Sequence, residues 1–276
     1  MCIRDRHKLG KNVLGTRDSV NSMTPDMLRK HMDRFYSPAS TVACFCGKFE
    51  RDKIISLCKR YFSSPANKSV IPALPKADFC PGVHIFDKKT EQNQIVIGFS
   101  APSLGSDSRF ACQLIASMLG GSASSRLFRR LREEQGLVYS VDACASSYLS
   151  AGVFAVSMGV SRESEKKAVL TAAEVLREFP DTVTEEELDL ARDHYLSGLI
   201  MSLESNSARA ARYGTGELLL GGAISEKELE EKIRGVSIDE IRSLARSFSS
   251  LSDACICAVG RTAGAKFYNK VVSGKK

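Results

Sequence analysis

Arg132 and Tyr139, seven residues apart, are the side chains of this chain best suited to chemistry. A guanidinium can hold a peptide carbonyl or a carboxylate, and a phenol can donate a hydrogen bond to a developing oxyanion. The surrounding stretch, residues 124–141, reads SSRLFRRLREEQGLVYSV. The same stretch also fits an ordinary helix, turn and strand in which Arg132 is only solvated, so a functional interpretation depends on the elements that position the pair.

Local patterns predict those elements. Two serines precede a run whose apolar residues recur at helical spacing, which predicts a capped helix from Ser124 to Arg132. Gly136 ends this helix, because glycine readily adopts the left-handed conformation of a helix C-terminus. Residues 137–141 alternate in the manner of a strand. The prediction therefore places Arg132 in the last helical turn and Tyr139 on the strand that follows.

This stretch resembles the signature of the second domain of the M16 metallopeptidases, the pitrilysin, insulinase and mitochondrial processing peptidase-like family, in its bacterial two-domain type. In that family, an Arg on a helix and a Tyr seven positions later reach the substrate from across the zinc site. The resemblance implies that Arg132 and Tyr139 bind substrate and that Tyr139 is also catalytic. Three neighbouring arginines, Arg126, Arg129 and Arg130, are interpreted as solvated charges on the helix surface.

The resemblance also implies a fold and a cofactor. The fold is the α+β M16 (LuxS/MPP-like) domain, a mostly antiparallel sheet packed on one face by helices. The family binds zinc through H-x-x-E-H and a distal Glu, and none of the four histidines here has that spacing. By the resemblance, Gln113, Ala116 and Ser117 stand where the first His, the Glu and the second His belong. We therefore expect zinc in the full-length parent and no metal bound by this chain.

Composition narrows the functional classes. The chain has 276 residues, 43% of them hydrophobic and 26% charged, as in a soluble globular protein of one or two domains. The net charge of +7 is spread out, which argues against nucleic-acid binding. An apolar run of about 20 residues and an N-terminal leader are both missing, so we expect no membrane segment and no signal peptide. Nine cysteines without metal-site spacing indicate a reducing compartment, namely the bacterial cytoplasm or, as the alternative, the mitochondrial matrix.

Proline usage predicts the domain boundary. Four of the eight prolines fall within residues 63–82, which predicts an extended linker there. By the resemblance, residues 1–62 are then expected to be the C-terminal remnant of a first, zinc-bearing M16 domain that is a partial copy of the same fold. Within it, residues 1–6, MCIRDR, resemble a translated sequencing adaptor and are expected to be artefactual. The resemblance implies that residues 83–276 form the C-terminal, substrate-binding domain without metal.

An internal repeat supports this division. Residues 24–47 align without a gap on residues 237–260, an offset of 213 residues with six identities. Both segments predict a capped helix, a turn, an apolar strand and a glycine. The second copy begins near Val83, so the first would begin roughly 130 residues before Met1, and the chain is expected to lack that part.

Three further patterns make local predictions. The sequence predicts a buried strand at Thr41–Cys46 and a core position for His31 on the helix that begins at Thr24. Residues 83–86 and 94–99 are predicted to pair as a hairpin.

Three functions remain open at the sequence level. The chain is the C-terminal part of a zinc endopeptidase, a non-catalytic partner subunit that completes a chamber, or a respiratory-complex core protein of the same fold. The upstream sequence decides between them, because H-x-x-E-H is either present there or not. The expected partners are an extended or unfolded peptide, the missing N-terminal M16 domain, and a second copy or paired M16 subunit. The fragment alone is expected to be inactive.

Overall fold

The computed structural model describes residues 8–62 and 77–274. Its helices and strands are α1 Arg17–Asn21, α2 Pro25–Phe35, α3 Arg51–Phe62, β1 Gly82–Asp87, β2 Asn93–Ala101, α4 Ser108–Gly120, β3 Val138–Ser147, β4 Gly152–Val160, α5 Glu165–Thr182, α6 Glu185–Ser202, α7 Asn206–Leu220, α8 Glu226–Arg234, α9 Ile238–Arg246, β5 Cys255–Gly260 and α10 Ala265–Val272. Three 3-10 turns, Lys8–Gly10, Pro38–Ser40 and Leu251–Asp253, and a π-helix, Phe128–Glu133, complete the elements.

Contacts divide the chain into two compact units. Among the described residues, the first contains 8–11, 77–196 and 230–274, and the second contains 12–62 and 197–229. This grouping joins residues 197–229 to the N-terminal segment, although the sequence assigned them to the C-terminal domain. Within the described residues, no helix is both long and apolar enough to cross a bilayer.

The first unit is built on one five-stranded sheet with the order β1-β5-β2-β4-β3. Only β1 and β5 run parallel, so the predicted α+β architecture with a mostly antiparallel sheet is confirmed. The predicted hairpin of the first two strands is wrong, because β5 lies between β1 and β2. β5 comes from the far end of the chain, and a local sequence pattern cannot predict a pairing partner so distant in sequence.

Helices cover one face of this sheet. Ile95 and Ile97 of β2 are fully buried beneath them. Three phenylalanines form the centre of this core, with ring centroids 4.6 to 6.2 Å apart: Phe99, Phe154 and Phe248. Helix α4 packs on β3 and β4. Its last residue, Gly120, must be glycine, since a Cβ there would lie 2.1 Å from the backbone nitrogen of Ala143. This close approach fixes β3, the strand that carries Tyr139, against α4.

The opposite face of the sheet is partly covered by the segment that precedes β1. Ala77 is buried against Val153 and Ala155 of β4, and Phe79 packs against the same cluster. Residues 77–81 belong to the stretch predicted as a linker, whereas residues 63–76 of that stretch, like residues 1–6, lie outside the described residues. The predicted domain boundaries stay a prediction.

The second unit buries little of its apolar surface. Helices α2, α3 and α7 contain no buried residue. The predicted core position of His31 is wrong, because the residue is exposed and its ring lies against the Phe35 and Tyr36 rings of its own segment. The predicted strand Thr41–Cys46 is also wrong, since this extended segment pairs with no strand in the described part of the chain.

Three local features recur at both copies of the repeat. The side chains of Thr24 and Ser237 cap α2 and α9, each accepting a hydrogen bond from the backbone three residues later. The 3-10 turns Pro38–Ser40 and Leu251–Asp253 lie at the same offset. Gly47 and Gly260 both have φ of +135°. Their burial differs: Leu28 is 54% exposed, and its counterpart Ile241 is fully buried.

Candidate functional site

The segment that carries Arg132 is wound more widely than an α-helix. From Phe128 to Glu133 it is a π-helix, and the Glu134 N–H donates to the Arg129 carbonyl at 2.9 Å. Gly136, with φ of +58°, ends the helix as predicted, and its N–H donates to the Arg132 carbonyl at 3.2 Å. Single π-turns of this kind are frequent at functional sites.

Tyr139 lies in a β-bulge. The register between β3 and β4 shifts between Val138 and Ser140, which leaves Tyr139 as the extra residue. Val138 and Val141 are buried under the helices, whereas the two side chains between them are exposed, Tyr139 to 69%. A bulge changes the direction of the side chains at its position. Here it turns Tyr139 out of the helix-covered face.

The structure brings the two predicted site residues together. The Arg132 guanidinium carbon lies 5.7 Å from the centre of the Tyr139 ring and 5.1 Å from the centre of the Phe128 ring. Both distances are within the range of cation–π attraction, so the two rings limit the orientations of the guanidinium. Phe128 is a site residue that sequence reasoning assigned only to the apolar stripe of the helix. Its spacing of four residues from Arg132 was the signal that could have identified it.

β3 is the last strand on its side of the sheet. On its outer side, the N–H and C=O groups therefore face no strand among the described residues. An edge strand of this kind can pair with an extended peptide through main-chain hydrogen bonds. The bulge with Tyr139 lies at the start of this edge, immediately after the turn that follows the π-helix.

Arg126 anchors this helix to the helices behind it. Its Nε and Nη2 donate to the two carboxylate oxygens of Glu187 at 2.8 and 2.6 Å, and Nη2 also donates to the Thr182 carbonyl at 2.8 Å. The interpretation of Arg126 as a solvated charge is therefore wrong. Arg130, by contrast, is exposed and pairs loosely with Glu134 at 3.8 Å.

The same contacts shift the titration of Glu187. Burial acts to raise the pKa of Glu187, but hydrogen bonds from Arg126 and Thr184 outweigh it and hold this pKa below its usual value. Because this pKa is lowered by folding, ionised Glu187 stabilises the fold at every pH above its unfolded-state pKa, near 4.3. This stabilisation is lost as the pH falls through the lower pKa of the folded state.

Glu187→Gln is expected to lower the free energy of unfolding at pH 7 by about 1–2 kcal/mol, because a bidentate charged hydrogen bond is lost. The difference from the unsubstituted protein should be smaller at an acidic pH below the lowered pKa of folded Glu187, because the carboxyl group is then protonated in both states. Urea unfolding at the two pH values measures this, with Glu186→Gln, an exposed neighbour, as the control. An equal difference in the free energy of unfolding at both pH values would contradict the role of the Glu187 charge.

The residues that replace the family's zinc ligands do not fit a metal. Gln113, Ala116 and Ser117 lie on α4 and offer neither an imidazole nor a carboxylate. Within residues 8–62 and 77–274, no group of three or more His, Cys, Asp or Glu side chains is close enough to hold an ion. That the whole chain binds no metal stays a prediction.

Comparisons with known proteins also indicate an M16 peptidase. The family model described as "Peptidase M16 inactive domain" matches residues 22–195. An uncharacterized zinc protease of Bacillus subtilis, YmxG, is 31% identical over 241 residues, which cover 87% of this chain and 59% of that protein. An uncharacterized zinc protease of Mycobacterium tuberculosis is 29% identical over 250 residues, covering 88% and 57%. The chain thus spans less than two thirds of the length of the curated relatives it matches.

Solved structures agree on the fold. A peptidase M16 inactive domain from Pseudomonas fluorescens superposes with a TM-score of 0.79 at 17% identity, over 95% of this chain and 63% of that one. A chain of Complex III2 from Candida albicans superposes with a TM-score of 0.83, also at 17% identity, over 97% and 67%. At this identity, the two structures show a shared fold and no more. Because the family model matches well over half of its residues, the chain belongs to the M16 peptidase family.

Proposed function

We propose that this chain is the substrate-binding part of a zinc-dependent metalloendopeptidase, and that Arg132 and Tyr139 contact an extended peptide. The observation that carries the proposal is the Arg132 guanidinium held against the Tyr139 ring at the start of a sheet edge that pairs with no strand in the described part of the chain. The zinc belongs, in this proposal, to the part of the full-length protein that the longer relatives contain and this chain does not.

The edge of β3 suits an extended ligand. A peptide laid beside it would exchange main-chain hydrogen bonds with its outer N–H and C=O groups, which gives affinity without demanding a particular sequence. The bulge at Tyr139 interrupts the regular ladder at the start of the strand. A peptide in register with residues 141–147 would therefore have its main chain close to the exposed Tyr139 and Arg132 side chains.

Each of the two side chains has a chemical role in this arrangement. The Tyr139 hydroxyl donates a hydrogen bond to the carbonyl oxygen of the scissile peptide bond, where negative charge develops during hydrolysis. The Arg132 guanidinium holds a neighbouring peptide carbonyl or carboxylate. Phe128 contacts the other side of that guanidinium and limits its orientations.

The second unit supports the existence of a further M16 domain. Its repeat copy exposes apolar side chains that the complete copy buries: Leu28 is 54% and Phe45 46% exposed, whereas Ile241 and Ala258 are fully buried. Exposed apolar surface of this extent calls for a partner. We propose that the missing part of the N-terminal domain covers residues 24–47, and that a second copy or paired M16 subunit completes a closed chamber. The fragment alone is then inactive.

The test compares two arginines of the same helix in the full-length protein. Arg132→Gln should lower kcat/KM for an unstructured peptide by about 10- to 100-fold, the loss of one charged hydrogen bond. Arg129→Gln, an exposed control on the same helix, should leave it unchanged. Equal effects of the two substitutions would refute the role of Arg132. A full-length protein with neither zinc nor peptidase activity would instead be the non-catalytic partner subunit.

A further inference from the structure

Strand β5 carries two cysteines on the face of the sheet opposite the helices. Ile256 and Ala258 of this strand are fully buried beneath the helices. Because successive side chains of a strand point to opposite faces, Cys255 and Cys257 both point to the other face. Their Sγ atoms lie 4.0 Å apart. Cys255 is buried and Cys257 is half-buried, so the pair is reached from that face through Cys257.

The strand positions on both sides of Cys255 are glycine. Gly82 of β1 and Gly98 of β2 are its partners in the two neighbouring strands. A Cβ built on either glycine would lie no closer than 3.8 Å to the nearest atom, so there is room for a further atom on both sides of the thiol. The atom nearest to that Cβ on Gly82 is His84 Nε2, and His84 pairs with Cys257. One imidazole therefore borders the same space as the two thiols.

A disulfide does not fit this pair. Residues two apart in a strand are separated by about 6.6 Å, and their side chains leave the sheet in the same direction. A disulfide instead requires its two Cβ atoms to be about 3.5–4.5 Å apart. Strand β5 would have to bend to form it, although β1 and β2 hold this strand on its two sides. The pair is therefore expected to stay a dithiol.

Two neighbouring thiols suit a soft metal ion that needs few ligands. Zn²⁺ takes four ligands in a structural site, so the pair is only half of a zinc site. Among the described residues, no third His, Cys, Asp or Glu side chain completes a metal-binding group. Cu(I) prefers thiolate sulfur, and two thiolates are enough to hold it. With metal–sulfur bonds of about 2.3 Å, the two sulfurs of such a complex lie at most about 4.6 Å apart. The observed 4.0 Å lies within this limit.

We propose that Cys255 and Cys257 together bind one Cu(I) ion. A copper–sulfur bond replaces each S–H bond, both protons pass to solvent, and copper remains Cu(I), so the step needs neither an oxidant nor a reductant. The bound complex carries one negative charge, which a hydrogen bond from the His84 imidazole stabilises. This proposal does not depend on the proposed peptidase function. For Cu(I) alone, it replaces the expectation that this chain binds no metal, because that expectation was based on zinc ligands.

The test titrates the full-length protein with Cu(I), without oxygen, in competition with a coloured Cu(I) chelator. The unsubstituted protein should withdraw one ion per chain from the chelator. Cys257→Ser and Cys257→Ala should each lower the affinity for that ion by about 100-fold, because neither replacement offers a soft ligand. The double variant Cys44→Ser, Cys46→Ser is the matched control and should bind as the unsubstituted protein does. Its two cysteines have the same C-x-C spacing, but Cys46 Sγ donates to Asn206 Oδ1 at 3.6 Å.

Three results would overturn the copper site. The first is a protein that withdraws no Cu(I) from the chelator. The second is binding that survives both Cys257 substitutions, or that is lost in the Cys44 and Cys46 control, since the ion would then lie elsewhere. The third is an intact mass that shows a disulfide between Cys255 and Cys257 in the protein as isolated. Circular dichroism of every variant separates loss of the ligand from loss of the fold, and Cys257→Ala checks the result if Cys257→Ser unfolds.

Discussion

Tyr139→Phe in the full-length protein is expected to lower kcat for peptide hydrolysis by about 10²–10³, with zinc content unchanged. The phenol donates to an oxygen that becomes fully charged only in the transition state, so its removal affects kcat more than substrate binding. The substitution keeps the ring, and the ring is what contacts the Arg132 guanidinium. Steady-state kinetics on a quenched fluorescent peptide, with metal analysis of the same samples, measures both quantities.

Tyr148→Phe is the matched control for this prediction, because Tyr148 follows the same strand after its last residue, Ser147, and lies far along the chain from the bulge. It should keep full activity. An unchanged kcat in Tyr139→Phe would exclude the oxyanion role, and an equal loss in both variants would indicate a general effect of removing a phenol from this part of the fold. Loss of zinc in Tyr139→Phe would show that the residue acts on the metal-binding part.

Features set by short-range hydrogen bonds were predictable from the sequence. The spacing Thr184-x-x-Glu187 is the sequence pattern of a capping box, and the box forms, with reciprocal bonds of 3.1 and 3.3 Å between side chains and backbone N–H groups. The cap at Thr24 and the left-handed Gly136 are also as predicted. Each of these features involves residues at most four positions apart, so a local sequence pattern contains all the information needed.

The features that shape the candidate site depend on packing between distant segments. The π-turn at Phe128–Glu133 packs on α5, and the bulge at Tyr139 lies in the pairing of β3 with β4, so both occur where segments distant in sequence meet. The predicted cap fails for the same reason: the Ser125 side chain is buried, and its hydroxyl has no partner in the described part of the chain. The Arg–Tyr spacing identified the pair, but only the folded chain places Phe128 beside it.

A buried polar cluster holds together the end of the sheet where the site lies. Glu165, at the start of α5, is fully buried and accepts hydrogen bonds from Asn93 Nδ2 at 2.7 Å, from the Ala263 N–H at 2.9 Å and from the Tyr268 hydroxyl. Burial and the bond to Glu165 raise the pKa of Tyr268 well above its usual value, so the hydroxyl remains a donor. Asn93 pairs with Val160, the β4 residue that also pairs with the first residue of β3.

Glu165→Leu is expected to lower the free energy of unfolding by about 3–5 kcal/mol, because it removes the acceptor of three hydrogen bonds, and of the three donors only Asn93 keeps another acceptor, the Arg261 carbonyl. Glu165→Gln retains one carboxamide oxygen and should cost less, about 1–3 kcal/mol. Tyr268→Phe removes a donor and leaves no new unpaired donor, so its cost should be the smallest of the three. Urea unfolding followed by circular dichroism measures the series, and amide hydrogen exchange at residues 138–141 shows whether the start of β3 loosens with it. A Leu variant as stable as the unsubstituted protein would mean that apolar packing can replace the cluster.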